Sequence, residues 1–136
     1  MIRTNPPFEH TTFGIAFIGI VCECLADAPG CDLVSLLHPS EFADCASRAH
    51  PCHSAAARIA ARQALTRALI FDSQEIAPVT ADLAWICSDV LRRPYFQFAP
   101  DFAETHLLNQ ADVSLSHVIG LSGAFVTLQH AWINRV

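Results

Sequence analysis

The sequence predicts an α+β domain in which one long central helix packs on an antiparallel sheet. Three features carry this expectation. Residues 54–69 are almost entirely Ala, Arg, Leu and Gln, all strong helix formers. Segments rich in Ile, Val and Phe flank that helix on both sides. Near the end, residues 113–117 and 123–129 read as two strands joined by a short loop containing Gly120.

Taken in order, residues 1–12 carry Pro6 and Pro7 without periodicity and read as an extended arm of a single domain spanning 1–136. Residues 13–25 form a mostly buried strand, broken by Ala28-Pro29-Gly30. Pro39-Ser40-Glu41 opens a helix to about residue 49, with Ser40 as its cap. Pro51 separates it from the long helix, whose apolar face includes Ala57, Ala60, Ala61, Ala64, Leu65 and Ala68. Small side chains there would let another backbone approach closely. Arg58 and Arg62 share a face of this helix, as do Gln63 and Arg67. Strands follow at 83–88 and 94–98 around a turn at 89–92, and residues 101–109 read as a short helix.

A chain of 136 residues is one domain's worth and can bury roughly two-thirds of its unfolded surface. Hydrophobic residues make up 52% and charged residues 15%, which points to apolar surface covered by another subunit. The net charge is −5 and there is no lysine, which argues against nucleic-acid binding through a basic face. The most apolar run, 13–25, is broken by Gly14, Gly19 and Glu23, and it lacks a basic lead and a cleavage site. It reads neither as a membrane span nor as a signal peptide, and a cytoplasmic location is expected. Six cysteines (Cys22, Cys24, Cys31, Cys45, Cys52 and Cys87) form no CxxC pair and match no zinc module. They read as reduced, partly buried residues, with metal or redox chemistry as the competing idea.

Four ordered segments carry a more specific signal. Ser114-Leu115-Ser116-His117 is followed by Gly123-Ala124-Phe125-Val126. Arg58-Ile59-Ala60-Ala61-Arg62-Gln63-Ala64 precedes Arg67-Ala68-Leu69. Gly19-Ile20-Val21-Cys22-Glu23 and Arg92-Arg93-Pro94-Tyr95 complete the set, and His38-Pro39-Ser40-Glu41-Phe42 supports it. Together they resemble the S-x-S-H, R-F-A-A-K-E-A, G-I-G-x-D, G-K/R-P and L-T-x-x-E motifs of the small 4'-phosphopantetheinyl transferases, the holo-acyl-carrier-protein-synthase type. The resemblance covers roughly residues 18–128.

That resemblance implies a 4'-phosphopantetheinyl transferase-like fold. It also implies transfer of the phosphopantetheine arm of coenzyme A to a serine of an acyl carrier protein, Mg²⁺ as cofactor, and a homotrimer with sites between subunits. Carried over residue by residue, it gives Glu23 and Gln63 as metal ligands, and Glu23, Gln63 and Arg62 as the catalytic group. His117, Ser116, Arg58 and Arg93 become the coenzyme A contacts.

Several positions depart from the motif. Glu23 stands for Asp, Gln63 for Glu, Arg62 for Lys, and Val118 for a residue that is often polar. An amide oxygen brings no charge and is no base, and a guanidinium keeps its proton at neutral pH. Residues 26–29 lean acidic where the family often carries an Arg for its acidic carrier protein. Read without the resemblance, Glu23 is a solvated strand-end residue, Gln63 and Arg62 lie on an ordinary polar helix face, and His117 is a core histidine. Two functions are therefore carried forward. One is an active transferase. The other is a catalytically degenerate member that binds a carrier protein or synthase.

Overall fold

A computed structural model of the chain describes residues 8–19, 34–71, 76–105, 108–118 and 120–132. The elements in order are β1 (Phe8–Gly19), a 3₁₀ turn (Val34–Leu36), α1 (Pro39–Ala46), α2 (Pro51–Phe71), β2 (Ala84–Ser88), β3 (Pro94–Phe98), α3 (Pro100–Thr105), β4 (Leu108–Val118) and β5 (Leu121–Trp132). Strands β1, β5 and β4 form one antiparallel sheet in that order, and β2 and β3 form a separate hairpin. The α+β expectation of a long helix on an antiparallel sheet holds.

The sheet has two unlike faces, as period-2 alternation requires. Thr12 and Ala16 of β1 and Ser122, Ala124, Val126 and Leu128 of β5 are buried beneath α2. Phe13, Ile15 and Phe17 of β1 and Phe125 of β5 point the other way and are exposed. Registers such as Ala16 with Ala124 and Val113 with Val126 keep the inward residues in line across the three strands.

Helix α2 meets the inner face through Ala60, Ala61, Ala64, Leu65, Ala68 and Leu69, all fully buried. The small side chains bring helix backbone onto strand backbone. At Gly14 a Cβ would lie 2.0 Å from the Ala64 carbonyl oxygen and 2.8 Å from the Ala68 nitrogen. Only glycine fits beneath the helix at this point.

Three expectations change at the boundaries, and a fourth is only partly covered. The arm at 1–12 is shortened, because β1 already begins at Phe8 and pairs with Trp132. Residues 20–25, with Cys22, Glu23 and Cys24, lie outside the described residues. The cap of α1 is His38 rather than Ser40: the His38 ring accepts from the Ser40 N–H at 3.1 Å. Glu41 returns to the His38 N–H at 3.0 Å, closing a capping box. The His38 ring also stacks on Trp85 at 4.3 Å, which fixes it in the capping pose. Finally, the expected helix at 101–109 ends at Thr105, and β4 starts at Leu108, where pairing with β5 passes through an irregularity between Leu108 and Gln110.

Candidate functional site: an arginine-lined cleft beside the long helix

Two ion pairs fix α1 against the start and middle of α2, and they decide which arginines remain for ligand. Glu41 is fully buried. Its carboxylate accepts from Arg62 Nη1 at 2.8 and 2.7 Å and from the Ile86 N–H at 2.8 Å. Arg62 also donates to the carbonyls of Leu36 (2.6 Å) and Ala84 (3.4 Å). Expected to act at phosphate, Arg62 is instead buried and engaged with Glu41, tying α1, α2 and β2 together. Such a pair is worth little net, yet its remaining half is costly once one partner is removed.

The second pair joins Arg58 to Asp44, with Arg58 Nη1 also on the Ser54 carbonyl at 2.9 Å. Arg48 reaches the same carboxylate at 3.1 Å and the Ser88 hydroxyl at 3.2 Å. The Nε atoms of both Arg48 and Arg58 are buried and have no hydrogen-bond partner. A buried, charged N–H without an acceptor is unusual.

These side chains line a cleft of about 610 Å³ between α2, the β2–β3 turn and β4. Arg48, Arg58, Arg92 and Arg93 border it, together with Asp89, Asp112, Ser114, Tyr95 and His117. Four of the chain's eight basic residues thus meet in one place. Four arginines against two aspartates leave the lining formally +2, in a chain whose net charge is −5. A concave, positively lined wall of this kind attracts phosphate-bearing ligands.

The β2–β3 turn on the rim is built by Asp89. Its carboxylate accepts from the N–H groups of Leu91 (2.8 Å) and Arg93 (2.9 Å) and from Arg93 Nε (3.1 Å). The Arg93 backbone N–H, foremost among these contacts, holds the Asp89 carboxyl below the usual aspartate value. Arg92 sits in the left-handed region at φ 63° and is the one non-glycine residue there among the described residues.

His117 belongs to a trio that the sequence reading did not anticipate. Its ring lies 5.5 Å from His53 and 6.0 Å from His50, and those two rings are 5.8 Å apart. His53 Nε2 accepts the Gly120 N–H at 3.1 Å, so its neutral ring carries the proton on Nδ1. The Ser122 hydroxyl donates to the His53 carbonyl at 2.9 Å. The turn after β4 is thereby latched to the first turn of α2. The available signal was the i, i+3 spacing of His50 and His53 at the start of the helix, but nothing local linked them to His117.

The anticipated residues are divided between two places. Arg58, Arg93 and His117 share the arginine-lined cleft, whereas Ser116 is exposed and does not line it; Ser114 does. Gln63 is exposed and lines a second cleft of about 530 Å³ with Arg62, Thr66, Thr80 and Asp82. Glu23 lies outside the described residues. The Asp82 carboxylate accepts from the Thr80 hydroxyl, the main cause of its lowered pKa. No group of three or more His, Cys, Asp or Glu among the described residues is placed to hold a metal. Near Gln63 the described donors are one neutral amide oxygen and the single carboxylate of Asp82, so they do not by themselves fit Mg²⁺.

The described cysteines, Cys45, Cys52 and Cys87, form no disulfide with one another. Burial pushes the Cys45 thiol up to about 11, against the opposing pull of Arg58. It stays protonated at neutral pH and is neither nucleophile nor thiolate ligand there. No helix is long and apolar enough to cross a membrane, among the described residues.

No family model and no curated protein matches the sequence. Solved structures do match its fold. Helicobacter pylori holo-[acyl-carrier-protein] synthase, in complex with coenzyme A, is similar at 20% identity and TM-score 0.67, over 85% of this chain and 98% of that one. A Chronobacterium ammoniagenes synthase–coenzyme A complex is similar at 19% identity and TM-score 0.71, over 89% and 98%. The Mycobacterium tuberculosis acyl carrier protein synthase is similar at 23% identity and TM-score 0.66, over 86% and 95%. The chain therefore has the holo-acyl-carrier-protein-synthase fold, as its motifs implied.

Proposed function

We propose that the protein is a phosphopantetheinyl transferase that binds coenzyme A and passes its 4'-phosphopantetheine arm to a serine of an acyl carrier protein in the cytoplasm. The observation that carries this reading is the gathering of Arg48, Arg58, Arg92, Arg93 and His117 around one cleft of a net-acidic chain. Two of the similar structures are complexes with coenzyme A, a ligand rich in phosphate.

In the reaction, the serine hydroxyl attacks the phosphorus that carries the pantetheine. A new P–O bond forms, and the bond to 3',5'-adenosine diphosphate breaks. Charge grows on the phosphate oxygens, and fixed cations offset it without reorganising. Arg48 and Arg58 suit this because Asp44 and Ser88 hold their guanidinium groups at the wall of the cleft. His117 would lie beside the nucleotide. Arg62 contributes by anchoring α2 through Glu41. Mg²⁺, when bound, would neutralise the pyrophosphate, with Glu23 and Gln63 as its proposed ligands.

Arg58, Arg93 and His117 lie in one cleft and Gln63 in another. A site shared between subunits would bring such clefts together, and we propose a homotrimer for this reason. The decisive experiment incubates the protein with coenzyme A, Mg²⁺ and a panel of apo carrier proteins and follows the carrier by mass spectrometry. Gain of one phosphopantetheine arm supports transfer. A second reading, favoured by Gln63 and by the engagement of Arg62, is a protein that binds coenzyme A or a carrier without turnover; binding with no mass gain across the panel selects it.

A further inference from the structure

We propose that Arg92 is a ligand-contacting residue, held in a strained backbone conformation so that its guanidinium meets a phosphate group in the arginine-lined cleft. Its φ of 63° belongs to the left-handed region, where a long β-carbon-bearing side chain is disfavoured and glycine is at ease. The resembling G-K/R-P motif carries glycine at this place.

The turn itself does not require an arginine here. Asp89 closes it through the N–H groups of Leu91 and Arg93, and the Arg92 backbone N–H reaches the Asp89 carbonyl at 2.9 Å. All of these bonds survive any side chain at position 92 except proline's, which removes the N–H. Nor does the side chain stabilise the turn by pairing. Arg93 is held by Asp89, whereas the Arg92 guanidinium has no hydrogen bond or ion pair among the described residues. A persistent strained residue without a structural partner points to a task outside the fold.

Its position says what the task is. Arg92 borders the arginine-lined cleft and also the adjoining cleft of about 520 Å³ that reaches Asp44, His50 and His117. It lines both, and shares the first with the buried Arg58, which is 3% exposed. A fixed guanidinium that binds an oxyanion by two parallel N–H bonds suits phosphate better than a neutral or cationic ligand. The ligand class is a molecule with several phosphate groups. This inference rests on reading the cleft as a phosphate site, not on group transfer.

The test compares R92G, R92N and R92K with the unaltered protein by calorimetry, against coenzyme A, 3',5'-adenosine diphosphate and inorganic tripolyphosphate, with melting temperature measured in parallel. Glycine and asparagine both accept the left-handed conformation. They are expected to keep or raise the unliganded melting temperature while weakening phosphate ligands about tenfold, the loss of one charged hydrogen-bonding group. R92K should retain part of the affinity, and the dependence on ionic strength should fall in R92G and R92N. Tripolyphosphate binding without coenzyme A binding, still sensitive to R92G, would uphold the inference and sink the proposed function instead. Unchanged affinity in R92G and R92N, affinity loss that simply follows a lowered melting temperature, or no binding of any phosphate ligand by the unaltered protein would each overturn it.

Discussion

Gln63 stands exposed on α2, in a second cleft where Asp82 is the one carboxylate among the described lining residues. Mg²⁺ gives up its waters reluctantly and favours charged oxygen ligands, so this neighbourhood should bind it weakly. The substitution Gln63→Glu adds the missing charge without changing the side chain's length. Calorimetry with coenzyme A present should show tighter Mg²⁺ binding by the variant; equal or weaker binding would mean that residue 63 does not face the metal. Asp89 carries a pH prediction. Its folded value is depressed, so the carboxylate stabilises the β2–β3 turn when ionised. That contribution is fully present above the ordinary aspartate value of about 4 and fades as pH falls through the lower folded value. Hydrogen exchange at the Leu91 and Arg93 amides should therefore quicken, relative to an amide within the β2–β3 pairing such as that of Trp85, only below about pH 4. In Asp89→Asn the acid dependence should vanish. Persistence of the same acid transition in that variant would assign it to another group. Short motifs named Arg58, Arg93 and His117, and the fold gathers these three at one cleft. Arg48, Asp44, His50 and His53 were not named, since their placement arises from contacts between α1, α2 and the turn after β4 that no local pattern encodes.

Among the elements, α2 was read almost to its ends, because propensity and an unbroken small-residue stripe agree over the whole length. The strand β4 was read short, since residues 108–112 look neutral locally and become strand through pairing with β5. The cap of α1 was misassigned to Ser40 because the aromatic surface that fixes His38, Trp85, lies far along the chain. Two element-scale predictions follow from the packing of α2. Gly14→Ala would force a methyl between two backbones that cannot yield, at a cost of about 3 kcal/mol or more, the upper end for overpacking. Glu41→Ala would leave Arg62 buried and unpaired, at a cost of about 3–5 kcal/mol, and Arg62→Ala should cost as much by stranding Glu41. Because the two groups share one interaction, the double variant should fall well short of the sum of the single ones. Urea unfolding midpoints measure all four proteins, and strict additivity would show that the pair does not act as a unit.

At the scale of the molecule, α2 covers one face of the β1–β5–β4 sheet, and no described residue covers the other. That open face carries Phe13, Ile15, Phe17 and Phe125, between 43% and 61% exposed, with the rings of Phe13 and Phe125 stacked at 6.1 Å. A row of large apolar side chains on a sheet face is costly in water and is ordinarily buried by another chain. Together with the division of the anticipated site residues between two clefts, this face supports association between copies, and the proposed homotrimer is predicted to form through the open sheet face. Light scattering at micromolar concentration should report about three times the 14.8 kDa chain mass. Phe17→Asp is the probing variant, because residue 17 is 61% exposed within one chain and borders neither cleft. It should yield a folded monomer, with its circular dichroism retained and its coenzyme A affinity reduced if two subunits build the site. Monomer from the unaltered protein would remove the assembly and the shared site together. A trimeric Phe17→Asp protein would retain the assembly and move its contact surface elsewhere. A monomeric Phe17→Asp protein with undiminished affinity would place the whole binding cleft within one chain.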